Sequence, residues 1–380
     1  ALVAGLCAAS GPGHAQSFVC PELQAVVAAA ERDFAPVSGA PLPASADEAT
    51  ARAESVAAAG RPAAVPAEPR RHLIAEQRAS RQRTAATVWV LERIRDALGP
   101  SEDEGVLLKG AAYLGQDLPI AAGRLPSDVD ILVPPDRLAS VQQRLTAAGW
   151  VETELDDYDR RYYLQWSHEV PPLVHPIHPV ELDLHHSLLP PTARNRVDTD
   201  ALLPHLWASR SPGWQVLQPV DQLLHCAAHL FFDSDVRDRV RDLVDLDGLF
   251  RHFGRDPSFW ESLADRARTL GLAEPLALAS HFCVAWLGTP VPEAAQREFA
   301  ACGPSGSRRR WLLPLLATLL TPVEPDGSPS RWREVAGWIF LARYQYWRMP
   351  MRLLLPHALH KARVRQSSAT QRRPDEESVS

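Results

Sequence analysis

Lysine is almost missing from this chain. Lys109 and Lys361 are the two in 380 residues, and every other basic side chain is arginine. With 34 prolines and abundant alanine, this is the composition of a GC-rich bacterial genome, and it makes Lys109 conspicuous. A basic field is missing too. The formal net charge is −6, which argues against a surface built for long nucleic acids. The five cysteines, Cys7, Cys20, Cys226, Cys283 and Cys302, are odd in number, scattered, and contain no CxxC pair. A disulfide framework or a cysteine zinc site is therefore not expected, and a reducing cytoplasm is. Nor is there an unbroken apolar run of about 18 residues. The closest approach, 335–355, is interrupted by Arg343, Arg348 and Arg352, so no membrane span is expected.

What remains is ordinary for a globular protein: 46% hydrophobic and 23% charged residues. The length allows two or three domains. Residues 1–100 read as an N-terminal helical region with a Pro/Ala-rich linker at 36–70. Within it, Pro21 begins an Ala- and Val-rich helix, a short helix is expected over 47–59, and a longer one fills 71–98 and stops at Gly99-Pro100. The apolar residues 1–9 read as the start of a helix rather than a clipped export signal, because no charged segment precedes them. Residues 101–190 carry α/β patterning, 191–325 are helical, and 326–380 are a final helix with a basic tail.

The chemistry concentrates in VLLKGAAYLGQDLPIAAGRLPSDVDILV, residues 106–133. A short apolar strand ends at Lys109-Gly110, a small-residue helix follows, and Ser127-Asp128-Val129-Asp130 opens a second strand. Alternate strand residues share a face, so Asp128 and Asp130 point the same way with Cα atoms roughly 6.8 Å apart. Two such carboxylates suit Mg2+, which takes few protein oxygens and leaves room for substrate phosphates. A glycine turn lets backbone approach a triphosphate, the helix start favours anions, and Lys109 or Arg124 adds charge-assisted contacts. Further on, VELDLHH at 180–186 reads as another strand with Glu181, Asp183 and His185 on one face. A third carboxylate is what metal-assisted displacement needs; Asp183 is the first choice and Glu181 the alternative. Between the two acidic strands, 134–149 reads as a helix ended by Gly149. Residues 150–155 and 161–167 read as paired strands about an acidic turn, and 171–179 as irregular.

These motifs resemble the uncharacterised nucleotidyltransferases of the DNA polymerase β-type superfamily, relatives of the minimal and antibiotic-modifying enzymes. The resemblance rests on LLKG, RLPSDVDILV, a helix ending in AAGW, and VELDLHHSL, and covers roughly residues 80–260. It implies an α+β fold: a mixed-sheet, polymerase β-like core with flanking N- and C-terminal helices. It implies that Asp128, Asp130 and Asp183 are the catalytic and metal-binding carboxylates, with two Mg2+ ions. It places Gly110, Lys109 and Ser127 at the triphosphate, with Arg124 as the arginine before the acidic pair. The implied reaction moves a nucleoside monophosphate from an NTP, ATP first, to an acceptor hydroxyl. The turn departs from the family pattern: Lys-Gly-Ala stands where glycine-serine or glycine-glycine is usual. That missing hydroxyl leaves open a catalytically weak member acting as a binding or antitoxin-like partner module.

Other polar groups rank lower. His168, His175, His178, His185 and His186 crowd the third acid but lack a ligand spacing. His185 is expected to bond Asp183 or substrate. His225 and His229, at i and i+4 without the glutamate of HExxH, read as structural. The alternating charges of 235–253 read as a solvated helix face, with Arg239 or Arg241 as a candidate to reach across the cleft.

Overall fold

The computed structural model describes residues 67–99, 105–124, 126–323 and 330–358. The expectations for 1–66, the linker at 326–329 and the basic tail lie outside these residues. The first described element is α1 (Ala67–Leu98), which starts ahead of the expected 71 and buries Val90, Leu91, Ile94 and Leu98 along one stripe. The α/β part follows as β1 (Val106–Leu107), α2 (Lys109–Gly115), a 3-10 turn at Pro119–Ala121, β2 (Asp128–Leu132), α3 (Leu138–Ala147), β3 (Val151–Glu152), α4 (Asp157–Trp166), β4 (Leu173–His175) and β5 (His178–His185). Two short strands, β6 (Trp207–Ala208) and β7 (Gln215–Val216), complete one mixed seven-stranded sheet in the order β3-β4-β5-β2-β1-β7-β6.

The sheet's centre is set by hydrophobic alternation. β2 and β5 run parallel, with Val129 beside Leu182 and Ile131 beside Leu184. All four are fully buried, while the intervening acids go to the opposite face. α1 packs on β5 and α3. Beyond the sheet come α5 (Pro219–Phe231), α6 (Val240–Phe253), α7 (Pro257–Thr269), α8 (Ala273–Leu287), α9 (Glu293–Cys302), α10 (Gly306–Leu320) and α11 (Arg331–Arg348). α5 is buried almost all round, and packs on α6, α7, α8 and the back of α2. That contact brings helical residues to the edge of the acidic face. Among the described residues no helix is long and apolar enough to cross a membrane.

The fold class is the expected one, but four local readings change. Residues 157–166 are a helix, not a strand. The Asp156 carboxylate caps it by accepting from the Asp159 N–H at 2.7 Å, and two further acids lie in its first turn. Tyr162 meets Trp166 edge-on, a contact that the i, i+4 spacing of a helix allows and that the rise of a strand, roughly 13 Å over four residues, does not. The stretch 171–179 contains β4, paired antiparallel with β5. The region after 191 is not purely helical: β6 and β7 form a hairpin whose second strand runs parallel beside β1. The charged helix begins at Val240 rather than 235, because Asp238 is left-handed at φ +59° within the preceding turn.

Candidate active site

β2 and β5 carry the site. Their register sets Asp128 beside Glu181 and Asp130 beside Asp183. Asp128, Asp130 and Asp183 bring carboxylate oxygens within 4.8 Å of one another. Glu181 is exposed in the middle of β5, opposite the first residue of β2, and stands outside this trio.

Charges there are balanced unequally. Lys109 Nζ donates to Asp130 Oδ1 at 2.7 Å, and His185 Nε2 lies 3.0 Å from the same oxygen. Burial alone would raise the Asp130 carboxyl, yet Lys109 and His185 hold it well below the usual carboxylate range. Lys109 gains in return: burial opposes its charge, but Asp130 outweighs that and raises the ammonium. Asp183 has no such partner. Burial, then Asp130, Glu169 and Asp128, push its carboxyl up to about 8. Three carboxylates sharing one lysine, one of them driven towards its neutral form, make a donor set that fits a hard divalent cation.

Lys109 is left-handed at φ +42°, at the point where β1 turns into α2. This backbone turn aims its side chain back over the sheet. Gly110 follows, and a Cβ there would approach the Arg124 guanidinium, with Nε at 3.5 Å. Arg124 itself faces Asp245 of α6 through an ion pair and stacks over Tyr113, with Cζ 5.2 Å from the ring centre. Its carbonyl accepts from Ser80 Oγ at 2.9 Å, which ties the loop to α1. Ser127 Oγ donates to Asp128 Oδ1 at 3.2 Å on the exposed rim. Arg241 is exposed on α6, within the electrostatic reach of Arg124, Asp245 and Asp128, whereas Arg239 is consumed by Asp233 and Asp242.

The expected partner of His185 is corrected: its ring bonds Asp130, not Asp183. Along the strand it lies one step of the pleat beyond Asp183, and therefore reaches diagonally to β2.

Two neighbours, Glu169 and Asp245, escaped the sequence reading, and histidines it ranked low stand closer to the site than expected. His168, Glu169 and His185 form a second group with ligand atoms within 4.8 Å. Glu169 reaches the site through a single bridge to His185, and burial raises its carboxyl. His225, on α5, is buried beside Lys109 and His185, and burial brings its imidazole down to about 3. Asp245 and Glu169 come from other elements than their partners, so no local spacing announces them.

Comparison with known proteins agrees with this geometry. A family model described as uncharacterised nucleotidyltransferase matches residues 50–288, well over half of the chain. No curated protein and no solved structure matches. The match spans β1, both acidic strands and α6, so the carboxylate face lies inside it, and the chain belongs to the uncharacterised nucleotidyltransferase family.

Proposed function

We propose that the protein is a Mg2+-dependent nucleotidyltransferase that moves a nucleoside monophosphate from an NTP, ATP first, to an acceptor hydroxyl. The observation that carries this reading is the convergence of Asp128, Asp130 and Asp183 on one sheet face beside Lys109. In the reaction the acceptor oxygen bonds to the α-phosphorus, the bond to the β-phosphate bridge breaks, and pyrophosphate leaves. Asp128, Asp130 and Asp183 would hold two divalent ions, whose chemistry is to neutralise charge on the phosphates and lower the acceptor hydroxyl's pKa. Lys109 and the start of α2 at Gly110 meet the triphosphate from the β1 side. Arg124 braces that turn from beneath through Asp245, and Ser127 and Arg241 lie at the rim. Asp183 stands on the β5 side, where the acceptor approaches, and takes up the hydroxyl proton. Glu181 and His185 flank it.

Pyrophosphate release from ATP, GTP, CTP and UTP, with Mg2+ and a panel of hydroxyl acceptors, tests the reaction. Asp128→Ala/Asp130→Ala is expected to lower the rate at least about a thousandfold. Mn2+ binding followed by electron paramagnetic resonance tests the site without an acceptor. Wild type should bind and the double variant should not; wild type that leaves Mn2+ free sinks the reading.

A further inference from the structure

Arginines that enter this fold bring a carboxylate with them. Arg124 faces Asp245, Arg266 faces Asp221, Arg333 faces Asp238 and Arg343 faces Glu274. Arg348, the last residue of α11, does not. Among the described residues no carboxylate reaches its guanidinium, and its Nε is buried without a hydrogen-bond partner. It is held by rings instead: Cζ stands 4.5 Å from the Tyr162 ring centre and 5.5 Å from that of Tyr344. The Tyr162 hydroxyl is likewise buried and unpartnered. Burial with no compensating anion brings the guanidinium down to about 10. A half-buried cation with an orphaned Nε and no paired anion costs stability, and its terminal N–H donors are left for a ligand.

Its position says which ligand. Tyr163, whose ring lies 5.9 Å from that of Tyr162, feels the charges of Glu169 and Asp183. Tyr344 feels Glu169 and Asp233. The rings that hold Arg348 thus extend, through Tyr163 and Tyr344, towards carboxylates that border the β5 side of the acidic face. Lys109, Gly110 and Arg124 lie on the β1 side, across β2. A triphosphate seated at Lys109 leaves the Arg348 side to the other substrate.

We propose that Arg348, framed by Tyr162 and Tyr344, seats an oxyanion of the acceptor, so that the acceptor is a small hydroxyl compound carrying a phosphate or carboxylate. A guanidinium offers either group paired N–H donors, and the two rings hold it in place by cation–π contact. The anion seat stands on the geometry alone; calling its occupant the acceptor rests on the nucleotidyl-transfer reading.

Phenylglyoxal labelling of the full chain, read at Arg348 by peptide mass spectrometry, tests this with inorganic phosphate and acetate as probes. Saturating phosphate or acetate should slow labelling of Arg348 about fivefold, and the better protector names the oxyanion. Protection by neither overturns the proposal. A non-hydrolysable ATP analogue with Mg2+ should leave the protection in place; displacement of phosphate by the analogue would give the seat to the nucleotide and overturn it. Arg348→Met should fold, melt at a higher temperature than wild type and lose any phosphate-dependent rise in Tm. A lower Tm would mark Arg348 as a structural strut and overturn the proposal. Failure of the nucleotidyl-transfer reading would show separately, as absent Mn2+ binding with protection intact.

Discussion

Asp183 and Asp130 lie side by side and answer to pH in opposite ways. The folded protein holds a proton on Asp183 up to about pH 8, whereas the unfolded chain loses it near the ordinary aspartate value. A raised carboxyl favours the fold below the unfolded pKa, and that advantage is lost as pH rises through the folded one. Without divalent ions, stability should therefore fall between about pH 4 and pH 8. Asp183→Asn should flatten that slope and stabilise the protein at pH 8 by on the order of a few kcal/mol. Urea midpoints from pH 5 to 8.5 check this; an unchanged slope in the variant refutes it. Saturating Mg2+ should flatten the wild-type curve too, since a bound cation keeps the carboxylate ionised. Asp130 is the reverse case. Asp130→Asn removes the partner of a buried lysine and should cost about 3–5 kcal/mol at neutral pH, measurable in the same titrations.

Among the elements, α6 and the 3-10 turn at Pro119–Ala121 are the tightest pairing near the site. A Cβ on Gly248 would come within 1.9 Å of Ile120 Cγ2, so even alanine must push the Ile120 side chain aside. Gly248→Ala should cost about 1–3 kcal/mol and weaken nucleotide binding, because this turn leads directly to Arg124. Calorimetry gives the first effect and nucleotide titration the second; unchanged affinity would separate the turn from the nucleotide. The same elements mark what sequence makes visible. β2 and β5 alternate apolar and acidic residues with period two, so their faces and the acidic trio could be read directly. α4 could not, because its mixture of Asp, Arg and Tyr carries no clean apolar period; its cap and its ring contacts decide it. β6 and β7 are two residues each, too short to leave a pattern. Partners fared worse than elements: Arg124 meets Asp245 across 121 residues of sequence, and His185 chooses Asp130 through a diagonal that only the strand pairing defines.

At the scale of the whole molecule, one hydrophobic cluster runs from Val90 of α1 through the sheet to Trp347 of α11. Trp150 and Trp214 belong to its α/β part and Trp347 to its helical part. A core without a break should melt as a unit, so tryptophan fluorescence and far-ultraviolet circular dichroism should give coincident urea transitions. Two separated transitions would show that the sheet and the helices are stabilised independently. The parallel pairing of β2 with β5 has one last consequence. The alignment that buries Val129, Ile131, Leu182 and Leu184 is also the one that gathers the carboxylates. A slip of one residue would turn Asp183 to the opposite face and drive its leucine neighbours into water. The hydrophobic packing that rejects a one-residue slip therefore also guards the carboxylate cluster: the core and the chemistry are checked by the same alignment.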